Sequence, residues 1–235
     1  MRLVIAGYAV IAYAGFLLSS AWAVVFLAGG MDGPATRPAG AALAIDGALL
    51  LAFAVQHTVM ARAWFKRLIP APVERSTYVL AAGLMLFAVF GWWQPAPATI
   101  WRVGGPWSAA IWALFAAAWI LVVWATFAVD HADFLGLKQA YVYLRRRAYR
   151  EPPFTGRGLY ALVRHPMMLG LFITFWATPH MSAGHLVFAV ASSGYIAVGI
   201  RFEERDLRAR YGREYERYAG RVPEVTSRDG AIIGP

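Results

Sequence analysis

The sequence has 235 residues, with 22 Lys and Arg against 13 Asp and Glu for a formal charge of +9, yet 60% of it is hydrophobic and only 15% is charged. That balance belongs to a membrane protein, so the length prior for soluble domains does not apply. The basic residues stand in a few blocks between apolar segments, which sets nucleic acid aside in favour of anionic lipid headgroups, and the absence of cysteine excludes disulfides, thiolate nucleophiles and Cys-ligated metals.

A membrane span needs about 20 apolar residues. Four stretches qualify in chain order: Leu3 to Leu27, Ala41 to Met60, Tyr78 to Trp93 with its flanks, and Trp107 to Val129. The first begins with only Arg2 and shows no small-residue cleavage site before the Gly29 to Gly40 linker, so it reads as a retained helix. Among the connections, those from Gly29 to Gly40 and from Pro95 to Pro106 carry only Arg37 and Arg102. The segment from Arg62 to Arg75 holds Arg62, Lys66, Arg67 and Arg75, and Lys138 to Arg164 is more basic still. The positive-inside rule then places the N-terminus and both basic loops in the cytoplasm.

The last apolar run, Met167 to Ile200, is followed by an arginine-rich tail that includes Arg201, Arg205, Arg208, Arg210, Arg213, Arg217, Arg221 and Arg228. That tail should be cytoplasmic too, so the run should fold back on itself, with Pro179, His180, Ser182, Gly184 and His185 at the turn. Arms from Met167 to Thr178 and from Leu186 to Ile200 would be about 18 to 23 Å long, short of a ~30 Å hydrocarbon core. Leu207, Tyr211, Tyr215 and Tyr218 share one face of an amphipathic tail helix, which packs on the bundle surface or the lipid interface, or covers a ligand. The expected fold is therefore all-α: a polytopic integral membrane helix bundle of four spans plus a C-terminal helical hairpin and an amphipathic cytoplasmic tail helix. Residues 1–130 would form a substrate-side bundle and residues 131–235 a cofactor-binding core.

This topology brings Arg164 and His165, at the entrance of the hairpin, to the same side as Glu203, Glu204 and Asp206 at its exit. An arginine facing carboxylates at a membrane interface suits a zwitterionic ligand. It reads equally as an ion pair tying the hairpin ends together.

Tyr160-Ala-Leu-Val163-Arg164-His165-Pro166, Gly170, Glu203-Glu204-Arg-Asp-Leu207, Tyr211-Gly212, Tyr215, Tyr218 and Val222-Pro223 resemble the C-terminal core of the isoprenylcysteine carboxyl methyltransferase family. Gln56 to Arg62, Val73 to Tyr78, Asp130-His131 to Leu137, and Phe175 to Leu186 narrow the resemblance to membrane methanethiol S-methyltransferases and, more loosely, to NnrU-type proteins. The pattern departs at Met167-Met168, where the family often has a second basic or aromatic residue, and at Glu224-Val-Thr-Ser after Val222-Pro223.

The resemblance implies methyl transfer from S-adenosylmethionine to methanethiol, giving dimethyl sulfide. It implies a cofactor pocket at Tyr160, Val163, Arg164, His165, Tyr195, Glu203, Glu204 and Tyr215. Arg164 would take the donor's carboxylate, while aromatic faces and the two glutamates would hold its sulfonium. A neutral thiol attacks poorly, so a base is wanted. His57 and His131, near the cytoplasmic ends of the second and fourth helices, are the expected catalytic groups, although either can instead hydrogen-bond a neighbouring helix. Asp46 reads as an outer-side packing contact, and Arg75 with Glu74 as a surface ion pair or a guard of the cytoplasmic mouth. His180 and His185 fall at the far turn, and no histidine pair has metal-ligand spacing. The expected partners are methanethiol and membrane lipids, with a monomer sufficient, in the bacterial inner membrane with both termini cytoplasmic. Other readings of the same sequence are methylation of another small thiol or lipid-borne group, and a non-enzymatic NnrU-like accessory protein.

Overall fold

In the computed structural model the described residues are 1–151, 154 and 156–224; Arg228 and the Val-Thr-Ser after Glu224 lie outside them. The chain forms α1 (Arg2–Val25), continuing through an irregular turn to Gly30, then α2 (Ala39–Ala61), α3 (Ala63–Lys66) and α4 (Ala71–Trp92). A short strand β1 (Thr99–Arg102) precedes α5 (Pro106–Ala128), α6 (His131–Phe134) and α7 (Leu137–Leu144). After a 3₁₀ turn at Gly158–Ala161 come α8 (Pro166–Trp176), β2 (His180–Ser182), α9 (Ala183–Tyr211) and α10 (Arg213–Ala219). The protein is thus an all-α polytopic integral membrane bundle.

Five helices are long and apolar enough to cross a bilayer. The fifth, α9, revises the expected hairpin of two short arms. α8 is indeed short, 11 residues or about 16 Å, but α9 has 29 residues and reaches about 43 Å. The apolar run stops at Ile200, which places the expected end of the second arm there. The helix continues because Arg, Glu, Leu and Ala are all good helix formers, and it ends only at Gly212, which takes φ +50°. Its start is also earlier, at a Ser182 cap whose side-chain oxygen accepts from the His185 amide. The tyrosine stripe is divided accordingly: Tyr211 ends α9, while Tyr215 and Tyr218 lie on α10.

Helix α1 packs on α4, α4 on α2, α2 on α9, α9 on α8 and α8 on α5, while α7 lies against α1 and α4. An aromatic core of Phe26, Phe90, Trp93, Phe115, Phe175 and Phe188 fills one half of the bundle. Leu3, Leu51, Ile120, Val123 and Trp124 face outward, as lipid contact requires. At that end the chain between α8 and α9 is not a simple turn: β2 pairs antiparallel with β1, with Trp101 opposite Met181 and Arg102 opposite His180. His180 lies 3.3 Å from Asp32, and buried His185 donates to the Phe175 carbonyl. Asp46, fully buried, accepts from the Gln94 amide. The opposite end carries the N-terminus, the α2–α4 connection, α6, α7, the 3₁₀ turn and the end of α9.

Candidate functional site

Pro166 occupies the first turn of α8, where a missing N–H is harmless. His165 and Arg164 are therefore set at a fixed helix entrance, facing the last turns of α9. Arg164 is further held by its own amide, which donates to the Pro223 carbonyl at 3.0 Å.

Glu204 is the centre of the cluster. Its side chain is 3% exposed and receives four donors: the Tyr215 hydroxyl at 2.6 Å and His165 Nε2 at 3.0 Å on Oε1, Arg164 Nη1 at 3.1 Å and Arg208 Nη2 at 2.9 Å on Oε2. A carboxylate offers about four lone-pair sites, and four donors within the protein occupy those of Glu204. Glu203 differs: 49% exposed, its carboxylate takes only His165 Nδ1 among the described residues, at 3.3 Å. Burial alone would push the His165 pKa down, but hydrogen bonds and charges from Glu203 and Glu204 outweigh it and raise the pKa. With both nitrogens facing carboxylates, the imidazolium is the form that satisfies both.

Beside this cluster lies a cavity of about 480 Å³, within the range of small-molecule sites. Its lining includes the predicted Tyr160, Arg164, Glu203 and Tyr215, together with Ala128, Val129, Asp130, Lys138, Phe154, Leu207, Tyr211 and Tyr218. Burial, followed by the charge of Glu203, pushes the Tyr160 phenol up to about 12, so it is a neutral donor. The Tyr218 hydroxyl donates to the Tyr160 carbonyl at 2.6 Å, and Phe154 packs on Tyr211, Tyr215 and Tyr218. Arg164 Nε is buried without a partner among the described residues, and Nη2 is 3.6 Å from Glu224. A larger cavity of about 640 Å³, lined by Lys66, Arg75, Asp133 and Tyr149 among others, shares Val129 with this one. It contains none of the predicted site residues, so the smaller cavity is the candidate site.

The remaining predicted residues lie elsewhere. Val163 is half-buried beside the cluster but does not line the cavity. Tyr195 is nine residues before Glu204, about two and a half turns and hence the opposite face of α9. It meets α2 instead, where its hydroxyl lies 3.1 Å from Thr58 and its ring 6.2 Å from that of His57. His57 Nε2 is 2.6 Å from the Tyr78 hydroxyl, and its ring stacks on Phe53. His131 lies between Thr126 and Tyr13 at 2.8 and 3.1 Å, stacked on Phe127. Neither histidine lines the cavity.

It is the neighbour of His131 that does. Asp130 takes φ +76°, a left-handed conformation unusual outside glycine, and caps α6 by accepting from the Asp133 amide. Its Oδ2 accepts from Lys138 Nζ at 2.6 Å. In the sequence Asp130 stands inside the Asp130-His131 motif and Lys138 opens a basic loop, while Phe154 carries no signal.

The helical bundle defines a polytopic membrane protein, and a cavity walled by tyrosines, Arg164 and Glu203 at one end of it is its candidate small-molecule site. The chain belongs to the NnrU family: the model of that family, described as NnrU protein, matches residues 47–229. It is 42% identical over 225 residues to the methanethiol S-methyltransferase of Mycobacterium tuberculosis, covering 92% of each chain. It is 43% identical to the protein of that name from Crocosphaera subtropica, covering 92% of this chain and 89% of the other. Similarity to nurim of Xenopus laevis is lower, 30% over 70% of this chain and 62% of that protein. No solved structure matches.

Proposed function

We propose that this protein transfers a methyl group from S-adenosylmethionine to methanethiol, releasing dimethyl sulfide, at the cytoplasmic face of the bacterial inner membrane. The observation that carries the reading is the composition of the cavity. Its unmet Arg164 Nε suits a carboxylate, and its tyrosines with half-exposed Glu203 suit a sulfonium cation. The substrate is inferred from relatives about 40% identical and named for it. The orientation rests on the basic segments that gather at the end holding the cavity.

When bound, S-adenosylmethionine supplies a methyl group already activated on sulfur. The protein's part is to hold the donor through Arg164, Glu203, Tyr160 and Tyr215, to exclude water with Phe154 and Tyr218, and to bring the acceptor sulfur into line. Saturated Glu204 keeps Arg164 and His165 in place without rearranging when a ligand arrives. Residues 131–235 supply most of this lining, and Ala128, Val129 and Asp130 supply the rest.

Headspace gas chromatography of detergent-purified protein with S-adenosylmethionine and methanethiol is the test. Dimethyl sulfide should form only when all three are present. A protein that binds the donor yet methylates none of methanethiol, ethanethiol or hydrogen sulfide refutes the acceptor assignment.

A further inference from the structure

We propose that Lys138 is the group that faces the acceptor thiol and holds it as a thiolate; this rests on the methyl-transfer reading above. An alkyl thiol is mostly protonated at neutral pH, and its thiolate is favoured beside a cation. Among the described residues two cations line the cavity, Arg164 and Lys138. Arg164 is engaged by Glu204 and Glu224. Lys138 is the freer: its ammonium has three donors, of which one is given to Asp130 at 2.6 Å, with Asp133 at 3.9 Å, and its side chain is 32% exposed.

The chain holds this group firmly in place. Gly136 takes φ +86°, and a Cβ there would meet Ser76 Oγ at 2.5 Å and its amide nitrogen at 2.6 Å. That close approach, with the Ser76 hydroxyl donating to the Gly136 carbonyl, docks the start of α7 on α4. Lys138 is thus presented two residues into α7, with Asp130 placed against it by its own left-handed backbone. The hydrogen bond from Lys138 to Asp130 raises the lysine pKa above its usual range, so Lys138 acts as a fixed cation and not as a base. Ala128 and Val129, in the same lining, offer apolar surface for the thiol's methyl group.

The charged and titratable groups around Lys138 are Asp130 and Asp133 on its own side, the latter accepting from the Tyr149 hydroxyl. From the 3₁₀ turn, the segment between it and α8, α9 and α10 come Tyr160, Arg164, Glu203, Tyr211, Tyr215 and Tyr218. In the step itself the S–H proton leaves to water, and a sulfur lone pair then forms the new C–S bond. The bond from that methyl carbon to the sulfonium sulfur breaks, its electron pair staying on the departing sulfur, and two neutral thioethers result.

The test measures kcat/KM against pH for full-length wild type, Lys138→Met, Lys138→Arg and Asp130→Asn. The acceptors are methanethiol and the more acidic 2,2,2-trifluoroethanethiol. Each unit of lowered thiol pKa gives tenfold more thiolate and returns about threefold in nucleophilicity. Lys138→Met should therefore lose about tenfold on methanethiol for a shift of about two units, and much less on the acidic thiol, with its profile displaced to higher pH. Lys138→Arg should keep most activity, and Asp130→Asn, which leaves the cation less neutralised, should move the profile to lower pH. Equal losses on both thiols with unmoved profiles in Lys138→Met and Asp130→Asn would overturn the proposal and leave Lys138 a tie between the two aspartates. Should Lys138→Met fail to fold, the Asp130→Asn profile decides alone. A wild type that methylates no thiol while binding S-adenosylmethionine overturns the methyl-transfer reading, and this one with it.

Discussion

Glu203 and Glu204 adjoin in sequence and differ wholly in surroundings, because a helix turns about 100° per residue. Glu204 faces Arg164, His165, Arg208 and Tyr215, whereas Glu203 faces the cavity. Glu204→Gln should remove a buried counter-charge from these groups and destabilise the protein by about 3–5 kcal/mol, read as a fall in melting temperature. Glu203→Gln should change stability by less than about 1 kcal/mol. It should weaken S-adenosylmethionine about fivefold more than S-adenosylhomocysteine, a zwitterion whose sulfur is neutral, the scale of a partly exposed charge pair; equal weakening of both ligands would remove Glu203 from the sulfonium site. His165 gives a pH dependence. Its folded pKa is raised by the two glutamates, so its contribution is complete below the unfolded value of about 6.5 and is lost as pH rises through the higher folded pKa. Melting temperature against pH should therefore fall across that range in wild type. The same fall in His165→Gln would assign it to another group.

Helix α8 shows how an element too short to span is kept in a membrane bundle. Its 11 residues are closed at one end by the β1–β2 pair and at the other by the Glu204 cluster. Along its side Gly170 meets α5 so closely that a Cβ would lie 2.7 Å from Val122 Cγ2 and 3.0 Å from the Ala118 carbonyl. Small residues at such crossings let helix backbones approach where no hydrophobic effect drives them together. Gly170→Ala should cost about 1–3 kcal/mol by overpacking and displace Arg164, which precedes Gly170 by less than two helical turns of chain. Donor affinity should fall together with thermal stability, and loss of stability with unchanged affinity would show that α8 does not position the site.

Across the whole molecule the two ends are built differently. One is closed by paired strands and an aromatic core, and the other is rich in arginine and opens into the cavity. A site at the cytoplasmic end predicts that alkaline phosphatase fused after α5 is inactive and fused after α4 is active; the reverse pattern would invert the proposed orientation. The proposed product, dimethyl sulfide, is small and apolar enough to leave through the lipid-facing surface of such a bundle.

The sequence by itself determined that the chain spans a membrane, where the first four spans lie and that Arg164-His165 and Glu203-Glu204 meet. Apolar run length and the charge of the flanks are local quantities, and their physical consequence in a bilayer is nearly unconditional. It misjudged α9, because the end of an apolar run is not the end of a helix: Arg201 to Tyr211 continue it until Gly212. Only the tertiary structure decided which polar groups face the cavity. Tyr195 and His57 lie on faces buried between α2 and α9, His131 turns toward Tyr13, and Asp130, Lys138 and Phe154 converge from segments far apart in the chain. Helical phase, backbone handedness at Asp130 and Gly136, and the order of helix packing set those directions, and each depends on neighbours that a linear sequence does not place.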